Sequence, residues 1–319
     1  KGRRRKRREG KRASGRSLRP MCLAKVTPIV SVSWLAARLP SVRVVDASWY
    51  LPTMGRSGHH EYLARRIPGA QFFDVDQQTD DISGLPHMLP SPSYFANAMS
   101  SLGICSSDHI VCYDGAGVFS APRLWWMLRV FGHEQASVLD GGLPAWAAAG
   151  HPIETGEPKP PPQASEPFNA SFRPELVLDL EAVKSSLPPG TPGAPASAVA
   201  APLKLMDARA APRFNGEAPE PRPGLLSGHI PGSLNVPFTE VLQGGFGGPM
   251  RPPEELEQVF RAAGMPTEGQ CRLGVTCGSG MTAAILALAL AQTGRMDTAL
   301  YDGSAAEYLD PKLGNPVSP

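Results

Sequence analysis

Short apolar, β-prone runs alternate with stretches of strong helix formers along this chain. Ile110-Val-Cys-Tyr113 precedes the helical run Arg123-Leu-Trp-Trp-Met-Leu-Arg-Val-Phe131, and Leu273-Gly-Val-Thr276 precedes Thr282-Ala-Ala-Ile-Leu-Ala-Leu-Ala-Leu-Ala291. Strands alternating with helices predict an α/β fold built on mostly parallel sheets flanked by helices. Such sheets bind ligands beyond the carboxyl ends of their strands. No apolar run reaches the roughly 18 residues that a membrane-spanning helix needs, so no such segment is expected.

The pattern occurs twice. Val42-Arg-Val-Val-Asp46-Ala matches Leu203-Lys-Leu-Met-Asp207-Ala, and Arg66-Ile-Pro-Gly69 matches His229-Ile-Pro-Gly232. Ile110-Val-Cys-Tyr-Asp114-Gly matches Leu273-Gly-Val-Thr-Cys277-Gly, and Val138-Leu-Asp140-Gly matches Leu300-Tyr-Asp302-Gly. The spacing repeats with the strings: Gly69 to Asp114 and Gly232 to Cys277 are both 45 residues. Two tandem domains are therefore expected, over 24–151 and 175–319. A proline-rich linker over 152–174 should run extended and semi-rigid across the surface, and Leu187-Pro-Pro-Gly-Thr-Pro-Gly-Ala-Pro-Ala-Ser197 reads as a flexible loop within the second domain.

The second copy delivers Cys277 from an apolar strand into the turn Gly278-Ser279-Gly280-Met281-Thr282, which opens a helix. Glycines there let successive backbone N–H groups turn inward as an anion-cradling nest, and with the positive helix end they favour a thiolate. A buried structural cysteine is the plainer alternative. Phosphatases use a similar cradle but need an arginine at its far end, where this chain has Ala283. The first copy holds Asp114 at the nucleophile position, where a carboxylate cannot replace a thiolate, so that domain should be catalytically silent.

The loop Cys277-Gly-Ser-Gly-Met-Thr282 resembles the active-site loop of the rhodanese superfamily, closest to its mercaptopyruvate sulfurtransferase branch, with Met281 in place of the usual valine. Asp46-Ala-Ser-Trp-Tyr-Leu-Pro, Phe72-Phe-Asp-Val-Asp76, His87-Met-Leu-Pro90, Ser120-Ala-Pro-Arg-Leu-Trp-Trp126 and Asp140-Gly-Gly-Leu extend the resemblance over about residues 28–310. Near the end Ala305 departs from it, standing where a tryptophan is usual. The resemblance implies two rhodanese-like domains and sulfur transfer from 3-mercaptopyruvate through a Cys277 persulfide, with pyruvate released. It implies Arg213 and Arg222 as the substrate-binding arginines, and Ser279, His87 and Asp76 as a proton relay beside Cys277. Acceptors would be thioredoxin, glutathione-type thiols or cyanide. Thiosulfate is the alternative donor, but the loop carries no charge to receive a dianion. A persulfide carrier or docking module of low turnover is the reading outside enzymology.

Five cysteines, at 22, 105, 112, 271 and 277, are too few and odd in number for a disulfide scaffold, which suits a reducing compartment, mitochondrial, cytoplasmic or plastid. No Cys-x-x-Cys or Cys/His cluster suggests a metal, and no phosphate-loop motif suggests a nucleotide, so no cofactor is expected. The net charge of +2 hides an asymmetry. Residues 1–20 hold eleven Lys and Arg against one Glu, a balance of +10, leaving −8 for the rest. This basic tail, with neither aromatics nor an apolar face, is expected outside the fold as a disordered or targeting segment or an artefact of the gene model. Any nucleic-acid binding would rest on it alone.

Overall fold

A computed structural model of the protein describes residues 26–79, 82–161, 163–194, 203–266 and 271–319. The basic tail, Cys22 and the end of the 187–197 loop lie outside them. Among the described residues ten strands form two sheets: β1 (Ile29–Val30), β2 (Arg43–Asp46), β3 (Gln71–Phe72), β4 (Ile110–Tyr113) and β5 (Ala136–Leu139) make the first. The second contains β6 (Val177–Leu178), β7 (Leu203–Asp207), β8 (Leu234–Asn235), β9 (Arg272–Thr276) and β10 (Ala299–Tyr301). Their orders, β1-β5-β4-β2-β3 and β6-β10-β9-β7-β8, are the same topology written twice, and every pairing is parallel. The central strands β4 and β9 end at Asp114 and Cys277.

The helices after these strands, Ala121–Val130 and Ala283–Gln292, explain how the halves join. All ten residues of the first are buried, as are 283–291 of the second. Buried around their whole circumference, the first with Arg123 and Arg129 and the second apolar through Ala291, these two helices pack against each other between the sheets. One continuous core results, running from Phe95 and Trp125 in the first domain to Leu256 and Leu288 in the second. The first helix begins two residues earlier than the sequence pattern predicts, because Pro122 is tolerated in a first turn. Among the described residues no helix is long and apolar enough to cross a membrane.

The linker is pinned rather than merely laid across the surface. Arg66, itself buried, donates to the carbonyls of Gly156 and Glu157 and pairs with Glu154 at 3.1 Å. Further on, Phe168 inserts beside Phe95 and His133. The C-terminal segment also packs tightly despite Ala305: this residue is buried, and Tyr308, at the repeat position of Trp146, is fully buried and donates to the carbonyl of Pro316.

Candidate active site

Cys277 sits at the end of the central strand, 2% exposed, and the loop that follows is shaped by its carbonyls. The amides of Ala305 and Ala306 bind the carbonyls of Cys277 and Gly278 at 3.0 and 2.9 Å. With those carbonyls turned away, the N–H groups of residues 278–283 bind no backbone acceptor among the described residues. Gly280 is required by its φ of +77°, a left-handed conformation that L side chains resist. Gly278 is only crowded: a Cβ there would lie 3.1 Å from Arg213 Nη2, the end of a long side chain. Met281 is buried in the shared core, and Thr282 flanks the helix start without a side-chain cap.

The silent copy shows what such a loop holds. Asp114 accepts five backbone amides, Ala116 and Gly117 on Oδ1 and Phe119, Ser120 and Ala121 on Oδ2, at 2.9 to 3.0 Å. Burial pushes its pKa up while the amides oppose the shift. With every bond an N–H donation, an acid proton would find no acceptor, so the group is a carboxylate. At the rim of this cradle a Cβ on Gly115 would lie 2.4 Å from the Tyr50 hydroxyl, which donates to Glu61 at 2.6 Å, and a cavity of about 350 Å³ opens there beside Arg56 and Glu61.

Cys277 opens into a pocket of about 330 Å³ whose lining includes Arg209, Arg213 and Arg222 together with Trp49, Phe119, Phe238 and Phe246. Arg213 is fixed by a forked pair of hydrogen bonds to Glu220. Glu220 is in turn held at 2.8 Å by buried Arg209, which also clamps Asp207 at the end of β7. Burial opposes the charge of Glu220, but the two arginines win and keep its carboxyl below the ordinary range. Among the described residues Arg222 makes no hydrogen bond or ion pair. Partial burial pulls its pKa down, while Cys277, Glu220 and Asp76 favour its charge. Arg222 Nη1 would lie 4.0 Å from a Cβ on Gly278, so both arginines converge on the residue after the nucleophile.

Asp76 and His87 come from the first domain and form a pair, Nδ1 to Oδ1 2.9 Å. Trp49 Nε1 donates to Asp76 Oδ2 at 2.9 Å, and the Trp49 ring meets His87 edge-on at 4.8 Å. Burial works against the Asp76 charge, but His87, Trp49 and Arg222 hold its carboxyl below the usual value. Ser279 lines the pocket and makes no hydrogen bond to His87 or Cys277. The structure thus pairs Asp76 with His87 and brings Ser279 to Cys277, with no hydrogen bond between the two pairs. Sequence reasoning missed Arg209, Glu220 and the aromatic wall. Glu220 and Arg222 flank one proline, a signal that could have exposed the first two, whereas Phe246 sits in a glycine run that pointed only to a loop. Cys271, just before β9, is half-buried against the core as a packed edge cysteine.

A paired α/β unit with one live cysteine loop and one loop blocked by its own aspartate defines a tandem sulfur-transfer scaffold. The chain belongs to the rhodanese family: the Rhodanese-like domain matches residues 31–149 and 196–310. The 3-mercaptopyruvate sulfurtransferase of Rattus norvegicus is 41% identical, the match covering 88% of this chain and 91% of that protein. The thiosulfate/3-mercaptopyruvate sulfurtransferase 1 of Arabidopsis thaliana, a mitochondrial form, is 40% identical over 88% and 76%. The crystal structure of SseA from Escherichia coli, described as a 3-mercaptopyruvate sulfotransferase, superimposes with a TM-score of 0.74 at 39% identity, covering 88% of this chain and 99% of that one.

Proposed function

We propose that the protein is a sulfurtransferase that takes the sulfur of 3-mercaptopyruvate onto Cys277 and passes it to a thiol or to cyanide. The observation that carries this reading is the convergence of Arg213 and Arg222 on Gly278, with Arg222 in no ion pair among the described residues. Planar guanidinium groups suit the carboxylate and ketone of a 2-oxo acid through forked hydrogen bonds. Thiosulfate would meet the same arginines but no charge within the loop, so it stands as the slower donor.

The Cys277 thiolate attacks the donor sulfur and the carbon–sulfur bond breaks. The bonding pair leaves with carbon as the pyruvate enolate, which then takes a proton. Cys277 is left as a persulfide whose terminal sulfur lies among the loop amides, in the place the Asp114 carboxylate takes in the silent copy. An acceptor thiolate, from thioredoxin or a glutathione-type thiol, then attacks the outer sulfur and restores Cys277; cyanide would leave as thiocyanate. The covalent persulfide carries the group, and the scheme needs no further cofactor. In the proton relay Asp76 orients His87, and Ser279 supports the proton near sulfur when the donor closes the gap. Four free cysteines among the described residues and a mitochondrial relative favour a reducing compartment, mitochondrial or cytoplasmic.

Steady-state kinetics of the wild type and Arg222→Ala with both donors and one thiol acceptor test the assignment. Wild type should prefer mercaptopyruvate, and the variant should lose about 10- to 100-fold in kcat/KM for it, the loss of one charge-assisted contact. A wild-type preference for thiosulfate overturns the keto-acid assignment and keeps the persulfide.

A further inference from the structure

The silent domain places one charged side chain beneath the catalytic loop. Arg123 lies in the first turn of helix Ala121–Val130, is fully buried, and stacks on Trp126 with its guanidinium carbon 4.5 Å from the ring centroid. Its Nη2 donates both to the carbonyl of His87 and to Asp302 Oδ1, the latter at 2.7 Å. Its Nη1 faces the Cys277 loop, where a Cβ built on Gly280 would lie 2.7 Å away. Asp302 completes the connection, accepting the Leu89 amide on Oδ2 at 2.8 Å. One guanidinium thus touches the His87 turn, the partner domain's aspartate and the loop of the nucleophile.

Packing alone does not call for this group. Arg123 Nε and Nη1 are buried without an acceptor, an arrangement that costs stability and that native proteins seldom keep without a reason. The repeat spacing that aligns Asp114 with Cys277 aligns Arg123 with Leu286, fully buried in the corresponding helix. Leucine therefore suffices at this position where no live loop depends on it. His87 has a φ of +63°, a conformation that a non-glycine residue keeps only when its surroundings impose it. The bond from Arg123 to its carbonyl is one such constraint.

We propose that Arg123 is a positioning residue for sulfur transfer: it ties the His87 turn and Gly280 into one unit and so sets the imidazole relative to the Cys277 loop. The proposal rests on the sulfurtransferase reading of Cys277. Arg213 and Arg222 stand on other elements and have no bond to Arg123, so loss of the tie should affect turnover more than donor binding.

Arg123→Lys keeps the charge but not the rigid plane that reaches three sites at once. With mercaptopyruvate as donor, and kcat expressed per iodoacetamide-reactive Cys277 to remove misfolded protein from the comparison, kcat should fall about 10- to 100-fold. KM should stay within about threefold of wild type. Asp302→Asn should show the same split, and the double variant should be little worse than the worse single one, as coupled residues require. Normalised kcat within about twofold of wild type, a KM that rises as kcat falls, or fully additive losses would each overturn the proposal. Should Arg123→Lys yield no folded protein, Asp302→Asn alone decides by the same criteria. A wild type that turns over no donor sinks the proposed function instead. The alkylation rate of Cys277, which needs no donor, then decides on positioning: a change of at least about threefold supports it and an unchanged rate overturns it.

Discussion

Asp46 shows how much a single buried side chain sets the pH behaviour of this protein. Burial pushes its pKa up to about 7, although Ser48 and Tyr113 donate to it and partly counter the shift. In the unfolded chain it ionises near 3.8, so between that value and about 7 the native state binds the extra proton and stability declines as pH rises. The slope is about 1.4 kcal/mol per pH unit from this group. Asp46→Asn keeps an acceptor for Ser48 and removes the titration, so urea midpoints should shift in the variant's favour between pH 5 and pH 8; a constant gap would refute the assignment. Residues of this kind were only partly legible in the sequence. Cys277 stood out because glycines surround it and Asp114 because it replaces a cysteine in a repeat. Arg123 was visible only as part of a string, since burial and bonding partners decide what a lone arginine does.

At the scale of elements, the two glycines of the catalytic loop should respond differently to the same change. Gly280→Ala forces a Cβ into left-handed backbone and against buried Arg123, which cannot move aside without leaving Asp302. A loss of about 2 kcal/mol in stability is expected, read from the urea midpoint, together with most of the turnover. Gly278→Ala meets only the end of Arg213 and has no left-handed φ, so it should raise KM with a smaller cost to folding. Equal effects from both would mean that the loop is not shaped as described. Strand β9 and the helix after it were readable from the sequence because apolar runs and helix formers flank a glycine turn. The segment from Leu242 to Met250 was not: its bridge, its glycines and the contact of Phe246 with Phe119 depend on a surface that the other domain provides.

For the whole molecule, the helix Ala283–Gln292, apolar and buried through Ala291, makes each domain incomplete alone. Residues 175–319 expressed separately should expose that face, bind a hydrophobic dye, associate on size exclusion and turn over no donor; a monomeric, active fragment would refute this. The sequence showed that there are two copies, with Asp140 and Asp302 in matching strings, but not how they meet, because a repeated string does not say which loop of the other domain its carboxylate will hold. Asp140 of the first domain accepts the Met250 amide of the second at 2.8 Å, and Asp302 of the second accepts the Leu89 amide of the first at the same distance. Each half thus holds a loop of the other with an equivalent carboxylate, the reciprocity of an isologous contact between identical subunits. In a true homodimer every substitution is written twice, so a charge introduced beneath one loop appears beneath both. Placing the two protomers on a single polypeptide removes that constraint, and the pairs Asp114 and Cys277, Arg123 and Leu286, record an interface free to become lopsided.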